Sequence, residues 1–349
     1  MSLQIDKSGM EKKIFGLPEQ IVEATQLAEH VDITPAGEIR NIVVAGMGGS
    51  AIAGDILKAV LWHRSSVPVE IVRHYSLPSS VTGDTLLIVI SYSGDTEETL
   101  SCFSEAKRTG AQIFCISSGG ELAKIARAKS LPLIQIPKGF PPRSAIGYLT
   151  VPMLLAMRRL EVDLRPDVDE TVTILRELRS EFSRQTEENR AKRIAQSLVD
   201  RVPVVYSSNE YAPVPFRWRT QLNENSKVWT HTNLLPELNH NEIVGIGVPT
   251  EICRKCFIVF LRDPDESVQI ERRIELTKEI VSPLVSGTVD VWAKGTSTLA
   301  KLFSLVYCGD WVSFHLAVER GVDPTPVRRI DYLKSQLSPG PRNETSKLR

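Results

Sequence analysis

The sequence has no surplus of charge of either sign. Its 349 residues carry 42 Lys and Arg against 42 Asp and Glu. A polyanionic partner is therefore not expected, because nucleic-acid binders display a basic stripe and a high pI. Long apolar runs are also missing: the longest, such as Leu149 to Met157, fall far short of the roughly 20 residues that span a bilayer. The residues around Met1 to Lys7 are too polar for a secretory leader. Cysteine is scarce, and the five present are an odd number, as expected of reduced thiols in a cytosol. The expectation is a cytoplasmic protein with no membrane and no nucleic-acid partner, in which the sequon at Asn343 plays no part. The pair Cys253 and Cys256 has C-x-x-C spacing but no second pair or His cluster beside it. It also precedes a strand, whereas the redox motif opens a helix, so no metal or redox role is expected.

What is present is ordinary globular material, 42% hydrophobic and 24% charged, enough for about two domains. The first half alternates β-rich runs at 41–46, 68–73, 85–91, 111–117 and 132–136 with helical patterns near 50–61, 95–109, 120–129 and 144–160. Such alternation implies a parallel sheet covered on both faces. The charged stretch 165–200 has no Gly or Pro after Pro166 and no sustained heptad, and it reads as a helical connector. The second half repeats the alternation, with strands expected at 202–207, 228–231, 255–262 and 287–293. Helices are expected near 211–225, 267–281, 297–319 and 325–337. Trp311 and Phe314 read as core of a long helix or as a face between copies. The tail SPGPRNETSKLR (338–349) has the composition of disorder.

Chemistry concentrates in the loops after the first-half strands. GMGGSA (46–51) follows a strand and opens a helix, the position of the dinucleotide fingerprint. That fingerprint also wants an acidic residue at the end of the next strand; here the strand ends in Val72, Arg73 and His74. NAD is disfavoured, and only an NADP reading through Arg73 survives. SYSGDTEET (91–99) sets Ser91, Ser93 and Thr96 at a strand exit and helix start, where hydroxyls, free amides and the positive end of the helix dipole suit a phosphomonoester. The bland alternative is capping by Ser93 or Asp95, with Glu98 closing a capping box. The matching second-half loops, SSNEYAP (207–213) and LRDPDES (261–267), lack this chemistry, so one anion site is expected.

The order strand–GxGGSA–helix, then strand–SxSGxTxET–helix, resembles the sugar isomerase (SIS) domain. Two in tandem resemble the phosphoglucose isomerase superfamily. RTQLNENSK (219–227), ELNHNEIVG (237–245) and DPTPVRRIDYLK (323–334) are similar to the bifunctional phosphoglucose/phosphomannose isomerases. The resemblance implies an α/β fold of two tandem doubly wound parallel-sheet SIS domains, of flavodoxin-like three-layer α/β/α architecture. These would be an N-terminal domain over 1–160, a connector over 161–200 and a C-terminal domain over 201–349. It implies interconversion of glucose 6-phosphate, and of mannose 6-phosphate, with fructose 6-phosphate, through a cis-enediol and without metal or cofactor. It also implies a homodimer with a shared active site.

Each site residue has a plainer reading beside the implied one. Glu224 is either a solvated carboxylate at a helix end or the base that shuttles the proton. His240 is a hydrogen-bonded loop residue or a ring-opening acid/base supplied by the neighbouring subunit, apt because imidazole titrates near neutrality. Lys334 is an exposed lysine or the cation that reaches the ring oxygen. Arg143 is half of an ion pair or the charge facing the enediolate. Thr325 is a helix-start residue or the position linked to accepting the carbon-2 epimer. Ser91, Ser93 and Thr96 would hold the phosphate, and Gly48, Gly49 and Ser50 would lie against the sugar. Two rival readings are a non-catalytic sugar-phosphate-binding module and an NADP-dependent oxidoreductase.

Overall fold

The computed structural model describes residues 5–29, 31, 37–184, 186 and 188–337; the tail 338–349 lies outside them. Two all-parallel sheets form the frame. The first has the order β2 (Val69–Val72), β1 (Asn41–Ala45), β3 (Thr85–Ile90), β4 (Gln112–Ser117), β5 (Leu133–Gln135). The second has the order β7 (His231–Leu235), β6 (Val202–Ser208), β8 (Cys256–Arg262), β9 (Gly287–Trp292). In each, the order reverses beside the first strand, which opens a crevice at the carboxyl ends of β1 and β3 and of β6 and β8.

Burial on both faces explains why the strands are apolar throughout. Ile42, Val44, Ile88 and Ile90 face one side of the first sheet, and Val43, Ala45, Leu87 and Val89 the other. The first side is covered by α2 (Leu17–Glu29), α3 (Gly49–Leu61) and α6 (Ile146–Ala156), the second by α4 (Glu97–Ala106) and α5 (Gly120–Ala128). In the second sheet, Val205, Val259 and Leu261 face α9 (Pro213–Asn225) and α13 (Thr298–Glu319). Tyr206, Ile258 and Phe260 face α12 (Val268–Val281) on the outer side. One apolar core runs from the first sheet through α3, α9 and α13 to the second. Its axis is α13, buried from Leu299 to Ala317, including Trp311 and Phe314. This is the core alternative of the two readings.

Three sequence expectations shift. The stretch 165–200 is two helices, α7 (Arg165–Phe182) and α8 (Arg190–Ser197). Val168, Val172, Leu175 and Leu178 of α7 are buried in the common core, so the segment that joins the two sheets is itself packed into the fold. Helix α1 (Met10–Phe15) and α2 precede the first strand where no element is expected. The strand expected at 228–231 lies instead at His231–Leu235. Lys227 adopts φ +58°, the Val228 amide donates to Leu222 O, and Trp229 is 72% exposed; the chain is still finishing the helix there. Short helices α10 (Glu242–Gly245) and α11 (Thr250–Cys253) fill the link to β8, and α14 (Arg328–Leu337) closes the described chain.

Candidate active site

The hydroxyl loop sits at the crevice of the first sheet. Ser91 is buried, and its hydroxyl lies 2.9 Å from that of Thr96 and accepts from the Gly94 amide at 3.0 Å. The capping alternative fails in detail. Thr96 is the N-cap of α4 with no side-chain cap, and Asp95 Oδ1 instead accepts from the Glu121 amide at the start of α5. Among the described residues the Ser93 hydroxyl accepts only from the adjoining Asp95 amide, at 3.2 Å, and no side chain there caps the first amides of α4. Gly94 has φ +82°, and a Cβ there would stand 1.8 Å from Gly119 O; only glycine lets the loops after β3 and β4 close together. The Lys138 side chain lies over Gly119, where an added Cβ would come within 3.1 Å of Nζ. Residues 91–99 carry Asp95, Glu97 and Glu98 and no cation, so Lys138 brings a positive charge to the edge of this cradle.

The glycine loop lies beside the turn that holds Arg143. Gly48 is exposed at φ +52°, Ser50 is buried, and a Cβ on Gly49 would meet Pro142 O at 3.1 Å. Arg143 is buried and ties two distant segments to its own turn. Its Nε donates to Asn225 Oδ1 at 2.7 Å, and Nη1 donates to Glu224 Oε2 at 3.1 Å. Nη2 donates to the carbonyls of Pro324 (2.8 Å) and Thr325 (2.9 Å). A guanidinium has five N–H donors; among the described residues four are used, and one on Nη1 is left. Burial lowers the Arg143 pKa, which the Glu224 charge opposes and the Arg217 charge reinforces. The turn is braced from below. Arg217 donates to the Arg143 carbonyl at 2.9 Å and pairs with buried Asp310 at 2.7 Å, which also accepts from Gln221.

Arg143, Glu224 and Thr325 therefore stand in one cluster, and the Thr325 hydroxyl is buried with no hydrogen-bond partner among the described residues. Lys227, absent from the sequence-based set, belongs here too. Its Nζ donates to Glu224 O and, at 3.1 Å, to Pro324 O, and burial with the Arg143 charge pushes its pKa down to about 8. Its only sequence signal is its place at the end of LNENSK. Two expected residues stand outside the cluster. His240 is exposed on the outer side of the second sheet: its neighbour Leu238 packs in the core under α12, while Glu224 rides α9 on the inner side. Lys334 is exposed on α14, of which no residue is buried.

A cavity of about 830 Å³ opens at the crevice of the second sheet, lined by Asp55, Arg73, Tyr211, Asp263 and Lys301 among others. Here the chain supplies its own anion: Asp263 accepts from Tyr211 at 2.5 Å and pairs with Lys301 at 2.9 Å. Arg73, which the NADP reading requires, is paired with Asp55.

Residues 38–136 match the model of the SIS domain, and residues 187–337 match that of the bacterial phospho-glucose isomerase C-terminal SIS domain. The chain is 38% identical over 335 residues to a bifunctional phosphoglucose/phosphomannose isomerase of Caldicellulosiruptor bescii, covering 94% of this chain and 99% of that one. It is also 38% identical over 302 residues to the enzyme of that name from Thermoplasma acidophilum, covering 86% and 91%. A hypothetical protein of known structure from Thermus thermophilus shares the fold, with a TM-score of 0.72 at 17% identity over 94% of this chain and 90% of that one.

Proposed function

The chain belongs to the family of bifunctional phosphoglucose/phosphomannose isomerases, and from that premise we propose that it interconverts glucose 6-phosphate, and mannose 6-phosphate, with fructose 6-phosphate. The observation that carries the reading is the meeting of Arg143, Glu224 and Thr325, from segments up to 182 residues apart, beside the glycine loop. The phosphate lies on the hydroxyls of Ser91, Ser93 and Thr96 and the first amides of α4, with Lys138 as counter-charge. Gly48, Gly49 and Ser50 form the wall along the sugar.

Glu224 takes the proton from carbon 2 of the aldose while the oxygen on carbon 1 gains one, which makes the cis-enediol. Return of the carbon-bound proton to carbon 1, with loss of the hydroxyl proton from oxygen 2, gives the ketose. The free Nη1 N–H of Arg143 faces the oxygen that gains charge, in a position fixed before substrate arrives. The unpartnered Thr325 hydroxyl is the contact that tolerates either epimer at carbon 2. His240 and Lys334 open the ring. His240 comes from the neighbouring subunit of a homodimer; the placing of its neighbour Leu238 on the outer face of the second sheet, with Glu224 on α9 at the inner face, supports this.

Exposed Ile330, Leu333 and Leu337, at i, i+3 and i+7 on α14, supply an apolar face for that association. The division into an SIS domain over 1–160, a connector over 161–200 and an SIS domain over 201–349, and a cytoplasmic location, belong to the same proposal. Among the described residues no helix is long and apolar enough to cross a membrane.

A coupled assay on fructose 6-phosphate, with and without EDTA, tests the reading. Glu224→Gln keeps an oxygen for Arg143 and lacks the base, so kcat is expected to fall about 10²–10⁴-fold with a native melting curve. Undiminished turnover, or EDTA inactivation reversed by a divalent ion, overturns the mechanism.

A further inference from the structure

The segment that carries His240 is tied down on both sides of that residue. Before it, Leu238 is fully buried among Tyr206, Phe260 and Ile274. Asn239 donates to Thr277 Oγ1 at 2.8 Å and accepts from Arg273 at 3.4 Å. After it, Asn241 donates to Glu237 at 2.6 Å and accepts from the Glu242 amide at 2.6 Å. The Glu242 carboxylate then takes three side-chain donors from two strands: the Tyr206 hydroxyl, Asn233 Nδ2, and His231 Nε2 at 3.0 Å. Tyr206 is an interior residue of β6 and 1% exposed, so one of these anchors reaches into the sheet itself. Glu237, His240 and Asn241 are all exposed, but of the polar side chains in this run only that of His240 has no hydrogen-bonding partner among the described residues.

We infer that Glu242 is a positioning residue that, with Tyr206, His231 and Asn233, holds the 237–242 segment as a rigid pedestal presenting the His240 imidazole outward to the neighbouring subunit. The inference rests on the role given to His240 above and goes beyond it by naming what sets its geometry. An untethered loop would have to be ordered on association, at a cost in backbone entropy. Here folding has already ordered it. Displacing a reacting group by about 1 Å costs up to about 10²-fold in rate, so the anchor matters to turnover as well as to stability.

The test is steady-state turnover of fructose 6-phosphate by the full-length protein. Glu242→Ala is expected to lower kcat roughly 10- to 100-fold with KM little changed. In a His240→Ala background the same substitution is expected to cost nothing further, because groups that act through one residue are not additive. Glu242→Gln presents its amide to the Asn233 amide, two donors facing each other. Adding Asn233→Asp restores an acceptor on β7, and the double variant is expected to recover turnover. If Glu242→Ala does not fold, Tyr206→Phe removes one donor, keeps the packing and is expected to show a smaller loss of the same kind. A lowered melting temperature with wild-type kcat overturns the inference, as does a full additional loss in the His240→Ala background. Wild-type turnover by His240→Ala would remove its premise, while loss of turnover in Glu224→Gln would still support the broader reading.

Discussion

Replacing Arg143 by lysine keeps one charge and removes the fork. The guanidinium spans Asn225 Oδ1, Glu224 Oε2 and the carbonyls of Pro324 and Thr325. A lysine ammonium is a compact donor on a flexible stem and cannot reach acceptors on all three sides. Paired with Glu224, it leaves Asn225 Oδ1 without a donor, and Asn225 is 0% exposed. An orphaned buried acceptor costs about 1–3 kcal/mol, and the lost carbonyl contacts bring the expected destabilisation to about 2–4 kcal/mol. The catalytic loss is separate. Without the oriented Nη1 N–H, kcat is expected to fall about 10²–10³-fold, since the ammonium is held by Glu224 and turned from the reacting oxygen. Urea unfolding gives the first quantity, and the coupled assay at saturating fructose 6-phosphate gives the second. A folded Arg143→Lys protein that turns over like wild type would refute the assignment. A protein as stable as wild type would refute the account of the bonds.

Three further expectations follow from the geometry. Lys138→Met removes the cation beside the hydroxyl loop; KM for fructose 6-phosphate should rise about tenfold, the worth of one modest charge-assisted contact, with kcat held, and an unchanged KM rejects the phosphate role. Lys227 has its pKa lowered to about 8 from 10.5, through burial and the Arg143 charge. Between these pH values the unfolded chain binds the extra proton, so Lys227 makes stability rise with pH over that window; Lys227→Met should lose this rise in urea midpoints taken across it. Leu333→Glu with Ile330→Glu places charge on the apolar face of α14, and sedimentation should show a shift from dimer to monomer with loss of turnover. A dimer that survives both changes would move the interface elsewhere.

Much of the frame is legible in the sequence because it is local. A strand buried on both faces must be apolar along its length, and the loop that follows must supply its own hydrogen-bonding groups. Runs such as Thr85–Ile90 and the hydroxyls after them therefore show in a short window. The shifted strand is instructive. Val228 and Trp229 look like its start, yet its position is set by pairing with β6, where Val204 stands opposite His231, and no window on one strand contains its partner. The helices before Asn41 and the burial of α7 escape notice similarly, since what they pack against lies far along the chain.

By itself the sequence determined the two parallel-sheet units, the hydroxyl loop at the exit of β3 and the glycine loop at the exit of β1, because each depends on neighbours a few residues away. Only the tertiary structure decided that Arg143 donates at once to Glu224, Asn225 and the Pro324–Thr325 carbonyls, that Lys227 joins them, and that His240 stands on the far side of the second sheet. These are relations between segments 81 and 182 residues apart, fixed by how α9 and α13 pack between the sheets. No local pattern of residue types carries that information.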